Sequence, residues 1–181
     1  MSGTRAAGKA RTHTELVAAG LRVVDRVGIA GLSVNRLVAE AAVSKGTFFH
    51  HFPDRAAYLV ELHRTFHDDV AREVAAVVDG MPAGRERLIA ATQAYLDLCL
   101  RQRGVRALLL DARAEPAIRD EVRRRDREAV ELVAADFLAM GRESPRECAQ
   151  LWLGMAREVA AQEFDTGPQP SLRAVLPTFV S

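Results

Sequence analysis

Residues 28–52, GIAGLSVNRLVAEAAVSKGTFFHHF, contain the signals of two short helices separated by three residues. Ser33 suits the cap of a first helix whose inner residues Val34, Leu37 and Val38 are apolar. Ala41 to Val43 supply a tight turn, and Ser44 caps a second helix. This is helix-turn-helix spacing, in which the second helix is free to lie in a major groove with its first residues near base edges and phosphate. Lys45, Gly46 and Thr47 then provide a cation, a position with no side chain to block close approach, and a hydroxyl. Phe48 and Phe52, four residues apart, are expected in the core.

On either side of this stretch the apolar residues keep a helical period. Leu16, Ala19, Val23 and Val27 form a stripe that Gly28 stops, and Leu59, Leu62, Phe66, Val70, Val74 and Val77 form a second that ends at Gly80. Leu88, Ala91, Tyr95 and Cys99, with Ile89, Leu96 and Leu100 on another face, describe a helix buried nearly all round. From Pro116 to Met140, Ile118, Val122, Ala129, Val133, Phe137 and Met140 face one way and a dense run of Arg, Asp and Glu faces the other, as in an outer helix with a solvated face. Ser144-Pro145-Arg146-Glu147 reads as a capping box with proline at the first helical position. All seven prolines fall at helix boundaries, and no period-two alternation occurs. The expected fold is all-α.

Charge divides the chain. Residues 1–64 hold nine Lys or Arg against five acids, and residues 65–181 hold sixteen against nineteen, so a basic head of net +4 precedes a body of net −3. Four of the five histidines also lie in the head. Such a head suits a polyanion, and the body a different task. The two cysteines, Cys99 and Cys148, sit in apolar stretches without a CxxC, which excludes a disulfide framework. No apolar run reaches the roughly 18 residues of a membrane span, and the basic N-terminal stretch lacks an apolar core, so a cytoplasmic location is expected.

Gly28-Ile29 before Ser33-Val34, then Ala41 to Thr47, then Phe48-Phe49-His50-His51-Phe52-Pro53-Asp54-Arg55 and Leu59 closely resemble the DNA-binding domain of TetR/AcrR-type transcriptional regulators. The resemblance covers Arg11 to Leu62, under a third of the chain. It implies an N-terminal three-helix helix-turn-helix domain at residues 1–64 joined to a helical effector-binding and dimerisation domain at residues 65–181. It further implies that Ser33, Ser44, Lys45, Gly46, Thr47, Phe49, His50, His51 and Arg55 meet DNA, with Asn35 and Arg36 on the flanking helix. Three positions depart from the pattern. Ala42 stands where the family usually has Gly, so a left-handed turn would be strained and the turn is expected to be slightly reshaped. Phe49 stands where a Tyr usually donates to a phosphate, a loss that His50 and His51 can offset, and Val38 replaces a smaller residue.

The same resemblance places a mostly apolar cavity in the body and a dimer interface on two C-terminal helices. Candidate effector contacts are His63, Phe66, His67, Tyr95, Cys99, Trp152 and Met155. His63 and His67 share one side of a helix and suit a metal, the polar end of a ligand, or a partly solvated pair. Spacing fixes no third metal ligand, and adjacent His50 and His51 point about 100° apart, so no metal and no cofactor are expected. Leu151, Val159, Leu172, Val175, Leu176 and Phe179 are the candidates for the dimer interface, although Pro177 limits the last helix to one or two turns. The resulting expectation is a homodimeric repressor that binds a palindromic operator in duplex DNA and releases it when a small molecule occupies the body. An activator or constitutive binder of the same fold is the alternative. So is an all-helical metal-dependent enzyme using His63, His67, Glu61 or Asp68, which lacks a nucleophile, base and orienting group at recognisable spacing.

Overall fold

The computed structural model describes residues 2–101 and 116–180. Among them are eight α-helices and no strand: α1 (Ser2–Val27), α2 (Val34–Glu40), α3 (Lys45–His51), α4 (Arg55–Val78), α5 (Arg85–Arg101), α6 (Arg119–Ala139), α7 (Pro145–Thr166) and α8 (Pro170–Val175). Tight 3-10 turns at Pro116–Ile118 and Leu176–Val180 precede α6 and follow α8. The all-α expectation holds.

The head packs α1 against α2 and α4, with α3 against α2. Leu16, Ala19 and Val23 are buried as their spacing predicts, together with Leu37, Phe48 and Phe52 from the helix-turn-helix. Tyr58 crosses from α4 to donate its hydroxyl to the Leu16 carbonyl at 2.7 Å. Gly20 makes room for it, since a Cβ there would lie 1.8 Å from the tyrosine oxygen. Val27 departs from the expected stripe: it is the last residue of α1, past the main packing, and remains exposed.

In the body α5 is the central helix, packed by α4, α6 and α7. Leu88, Thr92, Leu96, Leu98 and Cys99 are buried, and its solvent contact is confined mainly to Glu86, Gln93, Asp97 and Arg101. α4 runs without interruption from head to body and ends before Gly80, whose φ is +73°. Its first half is buried through Leu59, Leu62 and Phe66, but Val77 is exposed because α4 outruns its neighbours there.

Two expectations about the C-terminal half are corrected. α7 starts where the capping box placed it, but the Ser144 side chain makes no capping bond. Ser144 has ψ 67°, whereas Ser33 and Ser44, which do cap, have ψ near 154° and 158°. The outer face of α6 is also not uniformly polar, since Leu132 and Leu138 stand 69% and 67% exposed on it. Pro177 ends the last α-helix after six residues, as expected.

Candidate nucleic-acid interface and ligand site

α2 and α3 are set by their caps. Ser44 Oγ accepts from the Thr47 amide at 3.0 Å and lies 2.9 Å from the Thr47 hydroxyl, so both side chains are fixed at the start of α3. Ser33 Oγ accepts from the Arg36 amide at 3.4 Å. Between the helices Ala42 takes φ +53°, so the turn keeps its left-handed residue and is not reshaped around the alanine. The bonds from the Val43 amide to the Val38 carbonyl (3.0 Å) and from the Ala41 amide to the Leu37 carbonyl (2.9 Å) hold it there.

These constraints leave Asn35, Lys45, Gly46, Phe49 and His50 exposed, and Thr47 half-buried. His51 turns back toward α1. Its ring lies 6.0 Å from that of His13 and 5.6 Å from that of His50. Burial first, then repulsion from His13, His50 and Lys9, holds His51 below the ordinary histidine pKa. His13 and Lys9 were not singled out by the sequence, although their four-residue spacing on a basic stretch was a usable signal.

Arg55 and Arg36 occupy a different role from the one expected. Arg55 Nε donates to the Leu32 carbonyl at 2.9 Å and Nη2 to that of Ile29 at 3.1 Å, while Arg36 Nη1 donates to the Gly31 carbonyl at 2.7 Å. Both guanidinium groups therefore clamp the loop between α1 and α2. On the rear of α2, Arg26 and Arg22 bind Glu40 and hold its carboxylate below the usual range, the Arg26 bond contributing most. Arg22, Arg26, Arg36 and Arg55 thus build the scaffold on which α3 is displayed.

In the body the expected effector residues fall into three neighbourhoods. His63 and His67 form one, with ring centroids 4.2 Å apart and Phe66 edge-on to His67 at 5.6 Å. The pair is partly solvated only at His67, which is half-buried; His63 is 1% exposed, and among the described residues its Nδ1 has no hydrogen-bond partner. Burial pushes His63 down to about 4; burial and then His63 itself push His67 down to about 3, so both rings are neutral near pH 7. Among the described residues no third His, Cys, Asp or Glu joins them in a group able to hold a metal ion.

Tyr95 and Cys99 form the second neighbourhood, on the side of α5 near Glu163 and Arg173, with the buried thiol pushed up to about 12. Trp152 is the third. Its indole Nε1 donates to Thr92 Oγ1 at 2.9 Å and its ring meets Phe137 edge-on, with Met155 half-buried one turn along. A shallow surface groove of about 530 Å³ lies elsewhere, between the end of α6 and the start of α7, and none of the seven residues lines it.

The dimer candidates also separate. Val159 and Leu176 are buried inside the chain, Leu172 is half-buried, and Leu151, Val175 and Phe179 are exposed. α6 contributes Leu132 and Leu138, which the sequence reading left on a polar face.

Residues 16–62 match the family profile for bacterial regulatory proteins of the tetR family. No curated protein matches the chain in sequence. The fold is that of a transcriptional regulator from Rhodococcus sp. Rha1, at 22% identity, 93% coverage of both chains and a TM-score of 0.81. It is also that of a putative TetR-family regulator from Rhodococcus sp., at 18% identity, 94% and 98% coverage and a TM-score of 0.83. The multidrug binding protein EbrR, solved with imidazole, is 25% identical over 93% of this chain and 94% of its own, with a TM-score of 0.72. Residues 16–62 thus carry a tetR-family DNA-binding domain, and the helix-turn-helix and helical body together share the architecture of these solved regulators. No helix among the described residues is long and apolar enough to cross a membrane.

Proposed function

We propose that the chain acts as a homodimeric repressor, with residues 1–64 reading a palindromic operator and residues 65–181 binding a small molecule whose arrival weakens that grip. The observation that carries the DNA half is the composition of the outward edge of α3. Lys45, Gly46 and His50 are open to solvent there, while the nearby arginines Arg36 and Arg55 are engaged by the loop carbonyls. Lys45 supplies phosphate attraction, and Asn35, Thr47 and His50 supply groups able to meet base edges. Gly46 lets the backbone approach.

A dimer places two such helices on one duplex. Among the described residues, Leu132 and Leu138 of α6 and Leu151 of α7 (72% exposed) are large apolar side chains left open to solvent. Gly154 lies one turn beyond Leu151 with open space around it, which allows a second helix to approach closely. We assign the dimer interface to α6 and α7, in place of α7 and α8. The effector site is assigned to the side of α4 that carries His63, Phe66 and His67, because a buried imidazole nitrogen without a partner is a polar atom that a ligand can satisfy.

α4 connects the two tasks: Asp54 caps its start beside the helix-turn-helix, and its middle carries His63. A tenfold loss of operator affinity on ligand binding requires about 1.4 kcal/mol of coupling, and operator must weaken the ligand by the same factor. Trp152, the chain's one tryptophan, provides the signal. Selection from random duplexes should return two-fold symmetric sites with half-sites about 34 Å apart or a multiple of it. Lys45→Ala should weaken every sequence alike and lower the salt slope by about one for each phosphate contact removed. Selected sites without symmetry would refute the dimeric reading.

A further inference from the structure

α3 turns one large apolar side chain outward. Phe49 is 52% exposed, between Lys45 one turn before it and His50 beside it. The fold does not need the ring for its core, which is closed by Phe48 tilted against Tyr58 at 5.4 Å and Phe52 edge-on to it at 4.9 Å. The Phe49 ring stands edge-on to Phe48 at 5.3 Å and 85°, so a buried neighbour fixes its position. It presents a rigid apolar surface with no hydrogen-bonding atom, on the same side of α3 as the lysine.

A phenyl ring in a major groove covers whatever lies opposite it. Over a donor or acceptor of a base edge it would leave that group unpaired, which is unfavourable. The base-edge feature that suits it is the C5-methyl of thymine, the apolar mark that the major groove displays. We propose that Phe49 reads one thymine in each half-site through contact with its C5-methyl group. This rests on α3 lying in the major groove, as proposed above, and adds a specified base to that reading.

The test uses the intact protein and an operator selected from random duplexes. Each thymine is replaced in turn by deoxyuridine, which removes the methyl and leaves the Watson–Crick edge unchanged. Wild-type protein should lose about fourfold in affinity at one position per half-site, the effect of a methyl-sized group returned to water. Phe49→Ala should still select a symmetric site but bind thymine and uracil equally at that position, and Phe49→Leu should keep part of the preference. Uracil tolerated at every position would overturn the proposal. So would a thymine preference that survives in Phe49→Ala, or a Phe49→Ala loss equal on both bases with the wild-type ratio intact. If the wild-type protein selects no duplex at all, the groove reading itself fails and this one with it.

Discussion

Two histidine pairs lie thirteen residues apart in their starting positions and have opposite surroundings. His50 and His51 sit at the end of α3, one open to solvent and the other half-buried against His13. His63 and His67 sit on α4 with their rings packed together, His63 fully buried. The contrast extends to the regions around them. In the body the buried acids are satisfied: Glu121 by Arg124 and Arg125, Asp136 by Arg87 and the Gly84 amide, and Glu163 by Arg173 and the Gln169 amide. The His63 Nδ1 stands out against that background as an unsatisfied atom. In the head, Lys45 and His50 of α3 stand open to solvent. Open groups on α3 and, among the described residues, an unsatisfied buried side-chain atom in the body suit the proposed DNA and ligand contacts.

The largest expected effect tests the buried pair. Both rings have folded-state pKa values below the unfolded value of about 6.5, so below that pH the unfolded chain binds protons that the native chain does not. Stability should therefore fall as pH drops from 6.5 toward 4. Groups facing the pair work both ways, Glu121 and Asp126 favouring protonation and Arg124, Arg125 and Arg157 opposing it. For His63 alone the loss reaches about 3 kcal/mol by pH 4, since each pKa unit corresponds to about 1.4 kcal/mol. Urea melts across this range should show the slope, and His63→Gln should flatten it even if the variant is less stable at pH 7. An unchanged slope in His63→Gln and His67→Gln would remove the contrast between the pairs.

A smaller effect of opposite sign is expected at the open pair. Phosphates favour the charged imidazole, so DNA affinity should rise as pH falls, by a factor of a few to about ten per unit where a single proton is taken up. Because burial and its cationic neighbours hold His51 down, its share should appear below pH 6.5. His50→Gln with His51→Gln should abolish most of the rise in a binding titration, and His13→Gln should shift it toward higher pH by removing one source of repulsion. A double variant with the wild-type profile would show that neither ring meets the backbone.

Periodicity and caps made most of the fold legible. The serines at 33 and 44, the stop at Gly80 and the prolines marked real boundaries because these are local signals, independent of what packs where. Environment was not legible. Nothing local distinguishes Arg55 reaching a phosphate from Arg55 bound to the Leu32 carbonyl, twenty-three residues away, or a solvated His63 from a buried one. Leu132 and Leu138 were hidden in the same way, because the charges around them on α6 suggested a wet face. The basic N-terminal stretch carried His13 and Lys9 into the histidine cluster, but only tertiary packing of α1 against α3 reveals it.

The smallest expected effect concerns the turn that displays the open pair. Ala42 is held at φ +53° by the hydrogen bonds of the α2–α3 turn, a region where a Cβ meets the following carbonyl and costs about 1–2 kcal/mol. Ala42→Gly removes that strain but gives the unfolded chain more freedom, which returns about 0.4–1 kcal/mol. The net expectation is a gain of about 0.5–1 kcal/mol, measured as a higher urea midpoint with an unchanged slope. Since Ala42 is exposed and distant in role from the buried pair, the pH slope of stability assigned to His63 and His67 should not change. Operator affinity should also stay close to wild type, because the turn already has the conformation that glycine would adopt. A variant that bound DNA many-fold more tightly would show instead that the alanine distorts α3 in the free protein. A variant less stable than wild type would show that the left-handed turn is not strained.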